Sequence, residues 1–133
     1  MLGKTWKRSG QFRIRQTNIG VPWHQIQNQL KLLCDDVLYQ IKHHSFERDE
    51  IAVRFHHRMV LIHPFPNGNG RHARLMADLL AMQIGTYRFS WGLRTRHAAG
   101  TLSTTGELRK KYLSALREAD QGNYEQLMIF ARS

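Results

Sequence analysis

Apolar residues recur at helical spacing through most of this chain. Ile26, Leu30, Leu33, Val37 and Ile41 follow at intervals of four, three, four and four residues, which puts them on one stripe of an α-helix facing a core. That helix begins near Trp23, after Pro22 has ended the preceding segment. Ile51, Phe55, Met59 and Ile62 make a second stripe, on a helix predicted from Arg48 to Ile62 with Glu47, Asp49 and Glu50 near its positive end. A third helix starts near Arg71 and turns Leu75, Leu79 and Met82 toward the core, extending to Ile84. Helical spacing returns from Glu107 to Ala119 through Leu108, Tyr112 and Leu116. Gly122 and Asn123 then stop one helix and cap a last short one bearing Tyr124, Leu127, Met128, Phe130 and Ala131.

Three stretches escape this pattern. Phe12 to Val21 alternates apolar and polar for a few positions and breaks at Asn18 and Gly20, which predicts a short strand or hairpin. Residues 85–106 are interrupted by Gly85, Gly92 and Gly100 and read as a loop with one helical turn. His63 to Gly70 loses periodicity altogether, with two prolines and two glycines. There is no internal repeat, low-complexity tract or linker, so residues 1–133 are expected to form one domain, mostly α with one small β element. Trp23, Phe89 and Trp91 are expected in the core. Cys34, beside the first stripe, is expected to be a buried, inert thiol.

Composition narrows the class of protein. With 41% hydrophobic residues the chain is not a disordered one, and no run approaches the ~18 apolar residues of a membrane span. No apolar stretch follows the charges of Met1 to Arg8, so the start does not read as a signal peptide. A single cysteine can form no internal disulfide, which points to a reducing, cytoplasmic setting. The net charge of +10 favours polyanionic partners, whether nucleotides, nucleic acid or acidic proteins, without choosing among them.

The central break does choose. Gly68, Asn69 and Gly70 precede a helix start, where unpaired amides and the positive dipole end attract anions. Glycine lets the backbone approach a phosphate closely, and successive amides there can form an anion nest. Arg71 and Arg74, three apart, project from one side of the first turn and suit a di- or triphosphate. His63 stands at the other end of the loop, and a neutral imidazole is the usual general base near neutral pH. Phe65 is the apolar residue in this polar loop and is expected to plug into the core. Asn67 can offer a carbonyl oxygen to a metal. His56, His57 and His63 share a region, but no cysteine or carboxylate completes a zinc set, so His56 and His57 read as structural.

The run from His63 to Arg74, His-Pro-Phe-Pro-Asn-Gly-Asn-Gly-Arg-His-Ala-Arg, closely resembles the Fic motif, H-x-F-x-[D/E/N]-G-N-G-R-x-x-R. Phe55 to Val60, and Tyr112 to Asp120 with Gly122 to Tyr124, are also similar to family sequences, in particular to the subfamily called mobile mystery protein B. The resemblance implies a mostly helical Fic fold with a small β-hairpin flap at about 12–21, and transfer of AMP from ATP to a Ser, Thr or Tyr hydroxyl of a target protein. By the same resemblance His63 is the base, Phe65 anchors the loop, and Gly68, Asn69 and Gly70 cradle the phosphates. Arg71 holds the β/γ-phosphates and Arg74 completes the clamp. Asn67 is the place of the Mg²⁺ ligand, and Ile19 on the flap clamps the target segment. Many family members have Asp or Glu at the position of Asn67, so metal affinity and turnover are expected to be weaker here. The start of the chain resembles residues that follow an earlier helix in the family. No self-inhibitory motif is complete, since Leu108 stands in the last place of the Ser103–Glu107 spacing, so a regulator is expected upstream or in trans. Gly70-Arg71 disfavours the phosphorylating relatives, which carry Lys near the loop's end. Two alternatives remain: a relative that transfers another phosphate-containing group, such as UMP or phosphocholine, and a weakly active or inactive relative serving as a basic module for nucleotide or nucleic acid.

Overall fold

The computed structural model describes residues 11–17, 19–94 and 105–133. Among them are five α-helices and no strand: α1 (Ile26–His43, entered through a 3-10 turn at Trp23–Gln25), α2 (Arg48–Ile62), α3 (Asn69–Gln83), α4 (Thr105–Asp120) and α5 (Glu125–Arg132). The mostly α architecture and the bounds of α2 agree with the periodicity. α1 is closed by His44 in the left-handed region, with Ser45 N–H bonding back to the Gln40 carbonyl at 3.1 Å. Asp49 and Glu50 occupy the first turn of α2, against the positive end of its dipole.

Two apolar clusters share α2. On one side Ile51, Met59 and Ile62 pack with Ile26, Leu33 and Val37 of α1 and Ala73 of α3. On the other, Ala52 and Val53 meet Ala81 of α3, Ala115 and Ala119 of α4, and Leu127 and Ala131 of α5. α2 is therefore buried on both sides, and its polar residues must be satisfied internally. His57, 4% exposed, does this with Nε2 donating to Asp120 Oδ1 at 2.8 Å and Nδ1 facing the Tyr124 hydroxyl at 3.1 Å.

α3 departs from its predicted face. It begins at Asn69 rather than Arg71, and it buries Ala73, Ala77 and Ala81, while Leu75, Leu79 and Met82 are about half exposed. Alanines four apart let α3 lie close on α2, where larger side chains would hold the helices apart. The expectation of an inward leucine stripe was wrong because it ranked residues by apolarity rather than by the space available.

Three smaller expectations are also corrected. Trp23 is 45% exposed. Cys34 is exposed, one position round the helix from buried Leu33. The described part of the 12–21 segment forms no strand ladder: Arg13 N–H bonds to the Pro64 carbonyl at 2.9 Å and Val21 N–H to that of Ile62 at 3.4 Å. Its backbone partner is thus the chain leaving α2, and among the described residues no hairpin ladder is present. Phe89 is buried and Trp91 packs beside it, as expected. Asn18, Gly100 and Ser103 lie outside the described residues.

The C-terminus is clasped to the start of α2. Arg132 donates to Asp49 through Nε (2.7 Å) and Nη2, and also to the Arg88 and Tyr87 carbonyls at 3.0 and 2.9 Å. Thr86 Oγ1 donates to the same carboxylate at 2.8 Å. The Arg132 guanidinium holds the Asp49 carboxyl below its ordinary range.

Candidate active site

The site lies between two helix ends of opposite polarity. α2 stops at His63, whose φ of 53° and ψ of 60° are left-handed. The following Pro64 disfavours continuing the helix, and its ring is almost fully buried. The loop then returns to Gly68, the N-cap of α3, at a φ of 72° that glycine adopts without strain. The first helical bond runs from His72 N–H to the Gly68 carbonyl at 2.9 Å. The amides of the first turn, at Asn69 and Gly70, therefore sit at the positive end of the helix.

The loop is held shut by Asn69. Its side-chain oxygen accepts from Phe65 N–H at 2.9 Å and its amide donates to the Phe65 carbonyl at 2.8 Å. Asn69 is 6% exposed, so its side chain is a loop staple. Its backbone amide remains at the helix start, where the sequence places it in the amide nest. The expectation for Phe65 is corrected. It is half-buried outside both apolar clusters, its ring against Phe12 (5.7 Å between centroids) and edge-on to His72 (4.7 Å).

His63, Asn67, Gly68, Gly70, Arg71 and Arg74 all line one open groove of about 1400 Å³, with the 60% exposed Ile19 at its rim. The structure thus brings the sequence-predicted residues together in one groove, Asn69 included and Phe65 apart. Burial, followed by the Arg13 charge, holds the His63 imidazole below its ordinary range, so the ring is neutral at physiological pH and able to accept a proton. Arg74 folds back over the first turn: a Cβ at Gly70 would stand 3.3 Å from its Nη1, so glycine here leaves room for the guanidinium. The guanidinium carbon of Arg74 lies 5.4 Å from the centre of the Tyr112 ring.

Sequence reasoning missed the support beneath these groups. His56 is fully buried and its Nε2 lies 2.7 Å from the Tyr112 hydroxyl. Desolvation pulls its imidazole down to about 3. Burial raises the Tyr112 hydroxyl while the neighbouring Arg74 pulls it back. A chain of contacts therefore runs from the buried His56 through Tyr112 to the arginine in the groove. Asp78 Oδ1 accepts from Phe89 N–H and Trp91 Nε1–H, both at 3.0 Å, and fixes another groove wall. Arg13 grips the end of α2 through carbonyl oxygens, including that of His63 at 2.6 Å. The spacing of His56 and Tyr112 in sequence gives no sign that they meet. For Arg13, Gly20 with a φ of 99° and no room for a Cβ marks its close approach to His63.

A helical domain in which a histidine at one helix end and a glycine-rich, arginine-flanked helix start line one groove defines a class, and comparison places the chain in it. The model of the Fic/DOC family matches residues 2–81, and the chain belongs to that family. It is 34% identical over 71 residues to the probable protein adenylyltransferase aq_aa38 of Aquifex aeolicus, covering 53% of this chain and 18% of that protein. It is 30% identical over 125 residues to protein adenylyltransferase fic-1 of Caenorhabditis elegans, covering 87% of this chain and 24% of the other. The chain thus spans about a quarter or less of these relatives. The solved structure of Fic-1 (aa134–508) from C. elegans superposes with a TM-score of 0.74 at 26% identity, over 98% of this chain and 36% of that one.

Proposed function

We propose that this chain catalyses Fic-type adenylylation, moving AMP from ATP to a Ser, Thr or Tyr hydroxyl of a target protein. The observation that carries the reading is the groove in which a neutral His63 faces the amide-rich, arginine-flanked start of α3. The triphosphate binds the backbone amides at Gly68 to Arg71, with Arg71 and Arg74 on its β- and γ-phosphates. His63 takes the proton as the acceptor oxygen bonds to the α-phosphorus. The bond from that phosphorus to the bridging β-oxygen breaks, and pyrophosphate leaves with its charge matched by Arg71. Ile19 at the groove rim is placed to meet the target segment. The adenylyltransferase names of the relatives support this reaction class.

ATP is normally accompanied by Mg²⁺, which neutralises phosphate charge. The described residues contain no group of three or more His, Cys, Asp or Glu that could hold a cation, and Asn67 offers one neutral oxygen. The protein's own share in holding the ion is therefore small, and the ion depends mainly on the phosphates. The same neutral amide favours a second reading, in which the groove binds nucleotide but turns it over slowly.

Intact mass spectrometry and labelled ATP test the proposal. Wild type incubated with ATP and Mg²⁺ should gain one AMP on itself or pass it to a target. His63→Ala should lower the rate by about 10²–10⁴-fold. Equal labelling by the two proteins would remove His63 from the role of base. Saturable ATP binding without any transfer would favour the second reading.

A further inference from the structure

Arg13 is a buried cation that the reaction as described does not use. The residue is 3% exposed, and none of the ion pairs found among the described residues includes it. Burying a charge is costly unless its hydrogen-bonding groups are matched. Here carbonyl oxygens match them. Nε donates to His63 at 2.6 Å, Nη1 to Arg15 at 3.0 Å, and Nη2 to Ile62 at 3.2 Å and to Val21. The Ile62 and His63 carbonyls lie at the negative end of α2, where a cation is favoured. The other two belong to the segment that leads to and from Ile19.

One planar fork therefore joins two pieces of chain that are distant in sequence. It also grips the peptide of the groove histidine itself, which sits in a conformation that L-residues adopt at a cost. The packing leaves no slack. A Cβ at Gly20 would come within 2.7 Å of both Arg13 Nη2 and His63 Cβ. A lysine could offer one point charge to this cluster but not the fork.

We propose that Arg13 is a positioning residue for the transfer: by holding the His63 and Val21 carbonyls in one guanidinium it sets the direction of the His63 ring and ties the target-docking segment to it. This rests on the reading of His63 as base. A displacement of about 1 Å in a reacting group can cost about 10²-fold in rate. The phosphate site on α3 makes none of these contacts, so its affinity for ATP is independent of Arg13.

The test compares wild type, Arg13→Gln and Arg13→Lys, each first shown to be folded by circular dichroism and a cooperative melt. Initial rates of AMP transfer should give a kcat lower by about 10- to 100-fold in Arg13→Gln, with KM for ATP within about twofold of wild type. Arg13→Lys should fall between them, and it serves alone if Arg13→Gln does not fold. An unchanged kcat, or a KM for ATP that rises as much as kcat falls, overturns the proposal. A second readout does not depend on activity. The His63 ring signal in ¹H–¹³C NMR should shift or broaden in the variants while those of His43 and His44 stay in place. An unmoved His63 signal also overturns the positioning role. If wild type transfers no AMP yet this signal moves, the function reading has failed and the structural coupling stands.

Discussion

His56 has no contact with solvent, and its imidazole is held at about 3 against an ordinary value near 6.5. The unfolded chain therefore takes up its proton before the fold does. The stability due to the neutral ring is complete above about pH 6.5 and is lost as the pH falls from there toward about 3, by up to about 1.4 kcal/mol per pH unit. Burial also lowers His63 and His72, which act in the same direction. Denaturant midpoints should fall steadily from about pH 7 to about pH 4, and His56→Gln should lessen the slope by up to one proton. An undiminished slope in that variant would mean that His56 is not the sensor. The position could be found in the sequence, but its burial could not, because the partner that fixes it, Tyr112, is 56 residues away.

At the scale of the element, α3 separates two kinds of apolar residue. Ala77 and Ala81 have no exposure while Leu79 is 48% exposed. Ala77→Leu should cost about 1–3 kcal/mol by forcing α3 away from α2. Leu79→Lys should change stability by no more than about 0.5 kcal/mol. Urea titration of the two variants checks both, and a larger loss for Leu79→Lys would reverse the assignment of faces. The stripes of α1 and α2 were legible because large apolar residues at helical spacing, Leu33, Val37, Ile51 and Met59, are the inward ones, while Leu32, Leu38 and Leu61 fall off the stripes and are exposed. α3 was not, because a close helix pair selects small side chains that periodicity counts as weak. The central loop was legible in its chemistry but not in its mechanics. Phe65 stood out as the anchor, while the lock is the reciprocal pair of hydrogen bonds between the Asn69 side chain and the Phe65 backbone, which composition cannot distinguish from an exposed polar residue.

Across the whole molecule, the Arg132–Asp49 clasp joins the last residues to the first turn of α2. Both side chains keep about a third of their exposure, so solvent screens the pair. Arg132→Gln should lower stability by about 1–2 kcal/mol at neutral pH. Because Arg132 holds the Asp49 carboxyl down, the clasp is fully formed above the ordinary carboxylate value and is lost as the pH falls through the depressed one. The variant and wild type should therefore converge in stability at strongly acid pH. A difference that persists there would mean that packing of Arg132 over the Phe89 ring, 4.2 Å away, carries the effect instead.

By itself the sequence determined the helical class, the limits of α2 and the grouping of His63, the glycines and the two arginines within twelve residues. These are local properties, set by backbone preference and by side chains near one another in the chain. Tertiary structure decided which face of α3 is buried, that Asn69 closes the loop, and that Arg13 meets the His63 carbonyl while Tyr112 lies beside Arg74. Each of those depends on contacts between residues far apart in sequence, whose distances only the packed helices define.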